Sequence, residues 1–422
     1  MNASAAHGLT VRGAVLDGVE VGLRAVDGTV VALGPSVTAE PGDEVIAGSG
    51  LALVAGLVNG HTHAAMTLFR GFGGDLPLME WLESKIWPAE ARLTDDDVYW
   101  GTRLACAEMI RTGTVRFWDM YWHPAAVARA AQDAGIRATV GLPLIDGMDP
   151  ARSTKLRAEA IESLDELAVC GPRIGASFTP HGIYTVSEES LSWVAEESAV
   201  RQLPVHIHFL EVESEVTGCI ERAGTRPGPY LDRLGLLTER TVLAHGCWME
   251  EAEFELAAAR GATVVTNPVS NLKLAVGRIF PYAVARHHRV AVGLGTDGAS
   301  SNNGLDMLQD VKVFALLQKY AANDPAAVPA EEAWQVATGG LAPALGGAPL
   351  AVGAAADFLL VRVDDPEVAP GYLTDNLVYS APGTVVDTTV VDGRVLMRGG
   401  VVPDADEVVA KAREAARRLG VL

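Results

Sequence analysis

The sequence predicts an α/β protein, a (β/α)8 TIM-type barrel carrying a small β-sandwich formed by both chain ends. Three observations predict it. Residues 56 to 345 alternate strand-like and helix-like segments, eight β-then-α units in about 290 residues, as a closed parallel barrel requires. Both chain ends have a different texture, short β-type runs separated by glycine-bearing turns. Of ten histidines, five fall at predicted strand ends, the rim on which such a barrel carries its chemistry.

Composition agrees with that size and narrows the function. At 422 residues the chain is too long for one small core. The expected parts are 1–55 as the first half of the sandwich, 56–347 as the barrel, and 348–422 as the second half plus a terminal helix. A formal charge of -20, from 53 acidic and 33 basic side chains, argues against nucleic acid or an anionic membrane as partner. It favours a soluble cytoplasmic enzyme. The four cysteines show no Cys-x-x-Cys spacing, so neither a disulfide framework nor a thiolate zinc site is expected. Residues 1–15 lack the basic and apolar regions of a secretory leader, and no apolar run reaches the roughly 18 residues of a spanning helix.

In chain order, strand-like runs at 9–15, 19–26, 29–33 and 44–53 open the sequence. Barrel strands are expected at 57–63, 114–120, 138–144, 174–179, 204–210, 241–245, 263–267 and 290–296. Helices are expected at 95–112, 125–134, 153–168, 188–201, 249–260, 282–288 and 305–320. The sandwich texture returns at 357–363 and 385–397, where Asp392-Gly393 reads as a hairpin turn.

Each barrel strand can then be asked what it ends in. The first ends in His61 and His63, which a strand's period of two puts on one face. The fourth runs into Pro180-His181, the fifth reads His206-Ile207-His208-Phe209-Leu210-Glu211, the sixth ends in His245 and the eighth in Asp297. Imidazole and carboxylate without thiolate suit a catalytic zinc, iron or manganese with one position left for water. An ion so held lowers the pKa of that water towards about 7. His61, His63, His208 and Asp297 are the expected ligands. His206 lies one layer deeper, as a packed, hydrogen-bonded histidine. No lysine occurs between Lys155 and Lys273, so a bridging carboxylated lysine is absent and one ion is expected.

Glu211, three residues beyond His208, is placed to move a proton between water and a substrate ring nitrogen. Its plain alternative is a solvated loop carboxylate. His245 would orient the attacking oxygen or stabilise the tetrahedral intermediate, or serve only as a strand-end hydrogen-bond donor.

Together with Pro180-His181-Gly182-Ile183-Tyr184, the segment from Asn267 to Leu274 and Gly295-Thr296-Asp297-Gly298-Ala299-Ser300-Ser301-Asn302-Asn303, these residues resemble the amidohydrolase superfamily. Within it, the match is to 5-methylthioadenosine/S-adenosylhomocysteine deaminases, from roughly residue 8 to 400. Its most specific part is the segment Leu76 to Glu90, which is similar to that family's substrate loop. The resemblance implies one divalent metal, chiefly zinc, a small nucleoside substrate, and a homo-oligomer. It implies that Glu90 holds the ribose hydroxyls, that His181 contacts substrate, and that Asp297 relays a proton to the departing amine. Ser301 would support the loop after Asp297.

There are departures. Leu142 stands where family members often carry an arginine that meets the homocysteine carboxylate, and Arg152 matches a second such arginine. Loss of a guanidinium fork weakens carboxylate recognition, so an uncharged 5'-substituted adenosine is favoured over S-adenosylhomocysteine. Thr266 replaces a histidine before Asn267-Pro268, and Gly182-Ile183 replace Ala-Pro. The alternatives are a deaminase or chlorohydrolase of another heterocycle (guanine, pterin, triazine) and a scaffold that has lost its chemistry. Glu90 separates the first of these, since a bare ring gives it no hydroxyls to hold.

Overall fold

The computed structural model describes residues 7–76 and 78–422; the first six residues of the stretch read for a leader, and Pro77 of the expected substrate loop, lie outside them. Val, Ile, Leu and Ala runs that are buried on both faces form the strands of a parallel barrel. Leu57–Thr62, Thr114–Met120, Arg137–Gly141 and Ile174–Ala176 pair side by side in parallel. Val205–Phe209, Thr241–His245, Thr263–Thr266 and Ala291–Leu294 do the same. Parallel bridges from Phe178 to Val205 and from Gly182 to His208 join the two halves on one side. On the other, the Asp297 N–H donates to the His61 carbonyl at 3.0 Å.

The third and fourth strands differ from expectation in being broken, each resuming as a two-residue piece, Pro143–Leu144 and Thr179–Pro180. At the break the two strands approach closely, which Gly141 permits: a Cβ there would lie 2.4 Å from the Ser177 carbonyl oxygen. Pro143 and Pro180 also lack the N–H that would continue a ladder.

The helices wrap the barrel. Asp95–Arg111 starts from a Thr94/Asp97 capping box, and Glu188–Arg201 starts from Ser187. Two helices follow the fifth strand where none was expected, Glu213–Ala223 and Pro227–Arg233. The first buries only Glu215, Val216 and Cys219, too few apolar positions to display a period.

Both chain ends contribute to one eight-stranded sheet. Its join is the antiparallel pair Leu51–Ala55 with Phe358–Arg362. Leu9, Val11, Leu23, Val30, Phe358 and Leu360 belong to an apolar core of its own. The Asp392-Gly393 turn is as read: both residues take positive φ, 55° and 69°, as a type I′ hairpin turn requires. The terminal helix Ala405–Leu419 lies against Asp95–Arg111. All four cysteines are free, three of them buried. Among the described residues no helix is long and apolar enough to cross a membrane.

A buried ionic joint ties sheet to barrel at the end of the barrel away from the histidines. Arg137 Nε donates to Asp357 at 2.6 Å and one Nη to Asp392 at 3.0 Å, and Arg173 also reaches Asp392. Removing Arg137 leaves the buried Asp357 without its cation, while Asp392 keeps Arg173. Arg137→Ala is therefore expected to destabilise the protein by about 3–5 kcal/mol. A melting scan checks this, and activity per folded molecule should not change.

Candidate active site

The strand ends bring the histidines together. The imidazole Nε2 of His63 lies 3.3 Å from Asp297 Oδ1 and 3.2 Å from His208 Nε2, and His61 Nε2 lies 3.5 Å from the same carboxylate oxygen. His61, His63 and Asp297 can offer ligand atoms within 4.8 Å of one another, and so can His61, His208 and His245. His61 is fully buried and its Nε2 has no hydrogen-bond partner among the described residues. A buried orphan imidazole nitrogen beside two others and a carboxylate suits a metal ion. Burial lowers His61 to about 4 and His208 well below its ordinary value, so both are neutral, the ligating form. At His63 burial opposes the charge, but the Asp297 carboxylate outweighs it and raises the ring to about 9. An ion taking that nitrogen must release the proton.

The outer hydrogen bonds fix which nitrogen each ring presents. The main-chain carbonyl of Met120 accepts from His63 Nδ1 at 2.7 Å, and that of His181 from His208 Nδ1 at 2.7 Å. His61 Nδ1 meets His206 Nε2 at 2.8 Å. His206, expected as a packed histidine, thus packs directly on His61. Asp297 Oδ2 accepts from the hydroxyls of Ser270 (2.6 Å) and Ser301 (2.9 Å), and its Oδ1 from the Gly298 N–H. Asp297 and His245 both take positive φ, 61° and 78°, a strained geometry that a surrounding structure must impose. Gly295 allows the first and eighth strands to meet, since a Cβ there would lie 2.9 Å from the His61 main chain.

A cavity opens above this cluster, walled by Trp81, Trp87, Trp122 and Tyr184. Glu211 lines it, is 5% exposed, and lies 3.8 Å from His245 Nδ1, with burial raising its pKa. That is no solvated loop carboxylate. His245 Nδ1 bonds Asn271 Oδ1 at 2.8 Å. Glu90 also lines the cavity and accepts from Trp122 Nε1 at 3.3 Å. His181 lines the cavity with its Nδ1 3.0 Å from Thr185 Oγ1.

Residues 52–396 match the amidohydrolase family. The chain belongs to the amidohydrolase family. Among relatives of this amidohydrolase, a 5'-deoxyadenosine deaminase of Methanoregula boonei is 47% identical over 89% of the chain and 86% of its own length. A 5-methylthioadenosine/S-adenosylhomocysteine deaminase of Archaeoglobus fulgidus is 42% identical over 89% and 90%. A solved adenosine deaminase of Xanthomonas campestris with bound zinc superposes at a TM-score of 0.91, 34% identical, covering 98% of each chain.

The amidohydrolase site gathers most of the residues singled out in the sequence, but not all. Arg152 is exposed and lines an adjoining lobe, with Leu142 and Leu156, rather than the cavity over the histidines. Thr266 lines a separate pocket behind Asn271, so its departure does not reach the main cavity. The sequence pattern marks no part for Ser270 and Asn271, although both lie in the segment from Asn267 to Leu274, nor for Glu215. A hydroxyl, an amide or a carboxylate acting at one remove leaves no mark in sequence spacing.

Proposed function

We propose that this amidohydrolase is a metal-dependent hydrolytic deaminase of an adenosine derivative, converting it to the inosine derivative and ammonia. The observation that carries this reading is one cavity lined by both Glu211 and Glu90, with His61, His63, His208 and Asp297 converging below it. The relatives' deaminase activities support it. His61, His63, His208 and Asp297 would hold one divalent ion, chiefly zinc, with iron or manganese as alternatives. Such an ion supplies a water that is nucleophilic at neutral pH.

The chain's own residues do the rest. Glu211 moves a proton from the attacking water to the ring nitrogen, for which burial beside His245 suits it. His245, its Nδ1 tied to Asn271, orients the attacking oxygen. Asp297, held by Ser270 and Ser301, takes the second proton of the attacking water from the hydroxyl of the tetrahedral adduct and passes it to the leaving amine, so the C–O bond forms as the C–N bond breaks and ammonia departs. Glu90 accepts two hydrogen bonds from the ribose hydroxyls, and His181 contacts the substrate.

Beyond Glu90 the adjoining lobe shares Trp87, Trp122, Ile145 and Tyr184 with the main cavity and adds Leu93, Leu142 and Leu156. Its apolar wall suits an uncharged 5' substituent, with Arg152 left at the rim. Ammonia release, with loss of adenine absorbance, tests the assignment across adenosine, 5'-deoxyadenosine, methylthioadenosine and S-adenosylhomocysteine on zinc- or manganese-loaded enzyme. The uncharged nucleosides are expected to turn over fastest; no turnover of any would overturn the nucleoside reading. Glu90→Ala is expected to raise KM for nucleosides roughly 10- to 100-fold, since a charged hydrogen bond contributes about 1.5–3 kcal/mol. Unchanged kinetics would move the substrate to a bare heterocycle.

The sheet of both chain ends, wrapped on its own core, is read as the small β-sandwich, with 1–55 and 348–422 as its parts and 56–347 as the barrel. A homo-oligomer in the cytoplasm belongs to the same proposal, supported by family resemblance and by the charge balance; light scattering tests the oligomer.

A further inference from the structure

The turn that carries Glu211 is held by a carboxylate outside the cavity. Leu210, between His208 and Glu211, takes a positive φ of 51°, unusual for a branched, fully buried side chain. Its conformation aims the next residue across the strand end towards His245. Two contacts tie the turn to the sixth strand: Gly246 N–H donates to the Phe209 carbonyl at 2.9 Å and Trp248 N–H to the Leu210 carbonyl at 2.8 Å. In those two the turn accepts; its own main-chain donors at Leu210 and Glu211 both go to one side chain. Leu210 N–H donates to Glu215 Oε2 at 2.9 Å and Glu211 N–H to Glu215 Oε1 at 2.8 Å.

Glu215 is 3% exposed, and its two oxygens are taken by these N–H groups rather than by a cation. A buried carboxylate so used is expensive to keep for the helix alone. Helix Glu213–Ala223 has no side-chain cap at Val212, so this carboxylate reaches back past the helix start to the strand end.

We infer that Glu215 is a positioning residue for the reaction, whose bidentate grip on two successive main-chain N–H groups sets the carboxyl of Glu211 at the distance that proton transfer requires. The inference rests on Glu211 being the proton carrier. A carboxylate accepts at both oxygens; an amide accepts at one and presents a second donor to the other N–H. Glu215→Gln should therefore release one half of the turn while keeping volume, and Glu215→Asp should withdraw both oxygens by one carbon.

The test measures kcat, KM and bound metal for Glu215→Gln, Glu215→Asp, Glu211→Gln and the Glu211→Gln/Glu215→Gln double variant, with 5'-deoxyadenosine or methylthioadenosine. The expected result is a loss of kcat of at least about 30-fold in both Glu215 variants, with KM within about 3-fold and metal retained. The double variant should be no slower than Glu211→Gln alone, because the two residues act through one group. If Glu211→Gln keeps its activity, the reading of Glu211 fails. If Glu211→Gln is inactive while the Glu215 variants keep kcat within 3-fold, or lose metal, or raise KM instead, the inference about Glu215 is overturned. If neither Glu215 variant accumulates as folded protein, the grip serves the fold and the inference is equally overturned.

Discussion

Replacing Glu211 by Gln is expected to lower kcat by about 10²–10⁴-fold, the range for a lost general acid–base, while the bound metal stays. The reason is positional. The carboxyl lines the cavity 3.8 Å from His245 and is almost fully buried, so bulk water cannot take over its part. It is not one of the four groups that converge below, so its charge can be removed without opening the ligand set. The decisive pair of measurements is turnover and metal content on the same sample. Loss of both together would make Glu211 a ligand rather than a proton carrier; retention of both would leave it without a part.

Asp297→Ala is expected to have the opposite signature, with metal and turnover lost together. Asp297 Oδ1 faces the Nε2 atoms of His61 and His63, and its Oδ2 is fixed by Ser270 and Ser301. Deleting the carboxyl removes a ligand and leaves the buried Ser270 hydroxyl without its acceptor, while Ser301 keeps the Gly298 carbonyl. Loss of an outer-shell partner alone typically costs about 10- to 100-fold in metal affinity, so loss of a ligand should exceed that. Ser270→Ala separates the two effects, since it keeps the ligand and removes only one of its supports. Competition with a chelator, read as residual zinc, should rank wild type, then Ser270→Ala, then Asp297→Ala. An Asp297→Ala protein that keeps stoichiometric metal would remove Asp297 from the ligand set.

Much of the barrel was legible because its strands are short, doubly buried apolar runs and its helices are capped and periodic. The eight strand positions fall where they were read, to within a few residues. The breaks at Gly141 and Ser177 were not legible, because they lie where two backbones approach more closely than a Cβ would allow. Nor was helix Glu213–Ala223, whose buried face includes a glutamate. Its residue Glu215 looks like surface in the sequence, yet it is buried against the main chain of Leu210 and Glu211.

What the sequence determined by itself was chemistry with a period: histidines and a carboxylate at strand ends, an absence of thiolate and bridging lysine, and an acidic charge balance. These are one-dimensional because a strand's alternation and a barrel's rim convert position in the chain directly into a side of the molecule. Only the tertiary structure decided which hydroxyls grip Asp297, that His206 backs His61, that Arg152 stands in a different lobe from the histidines, and that Glu215 reaches the turn of Glu211. Those are contacts made at one remove or between distant segments, set by how packed backbones approach one another, and no local pattern encodes that approach.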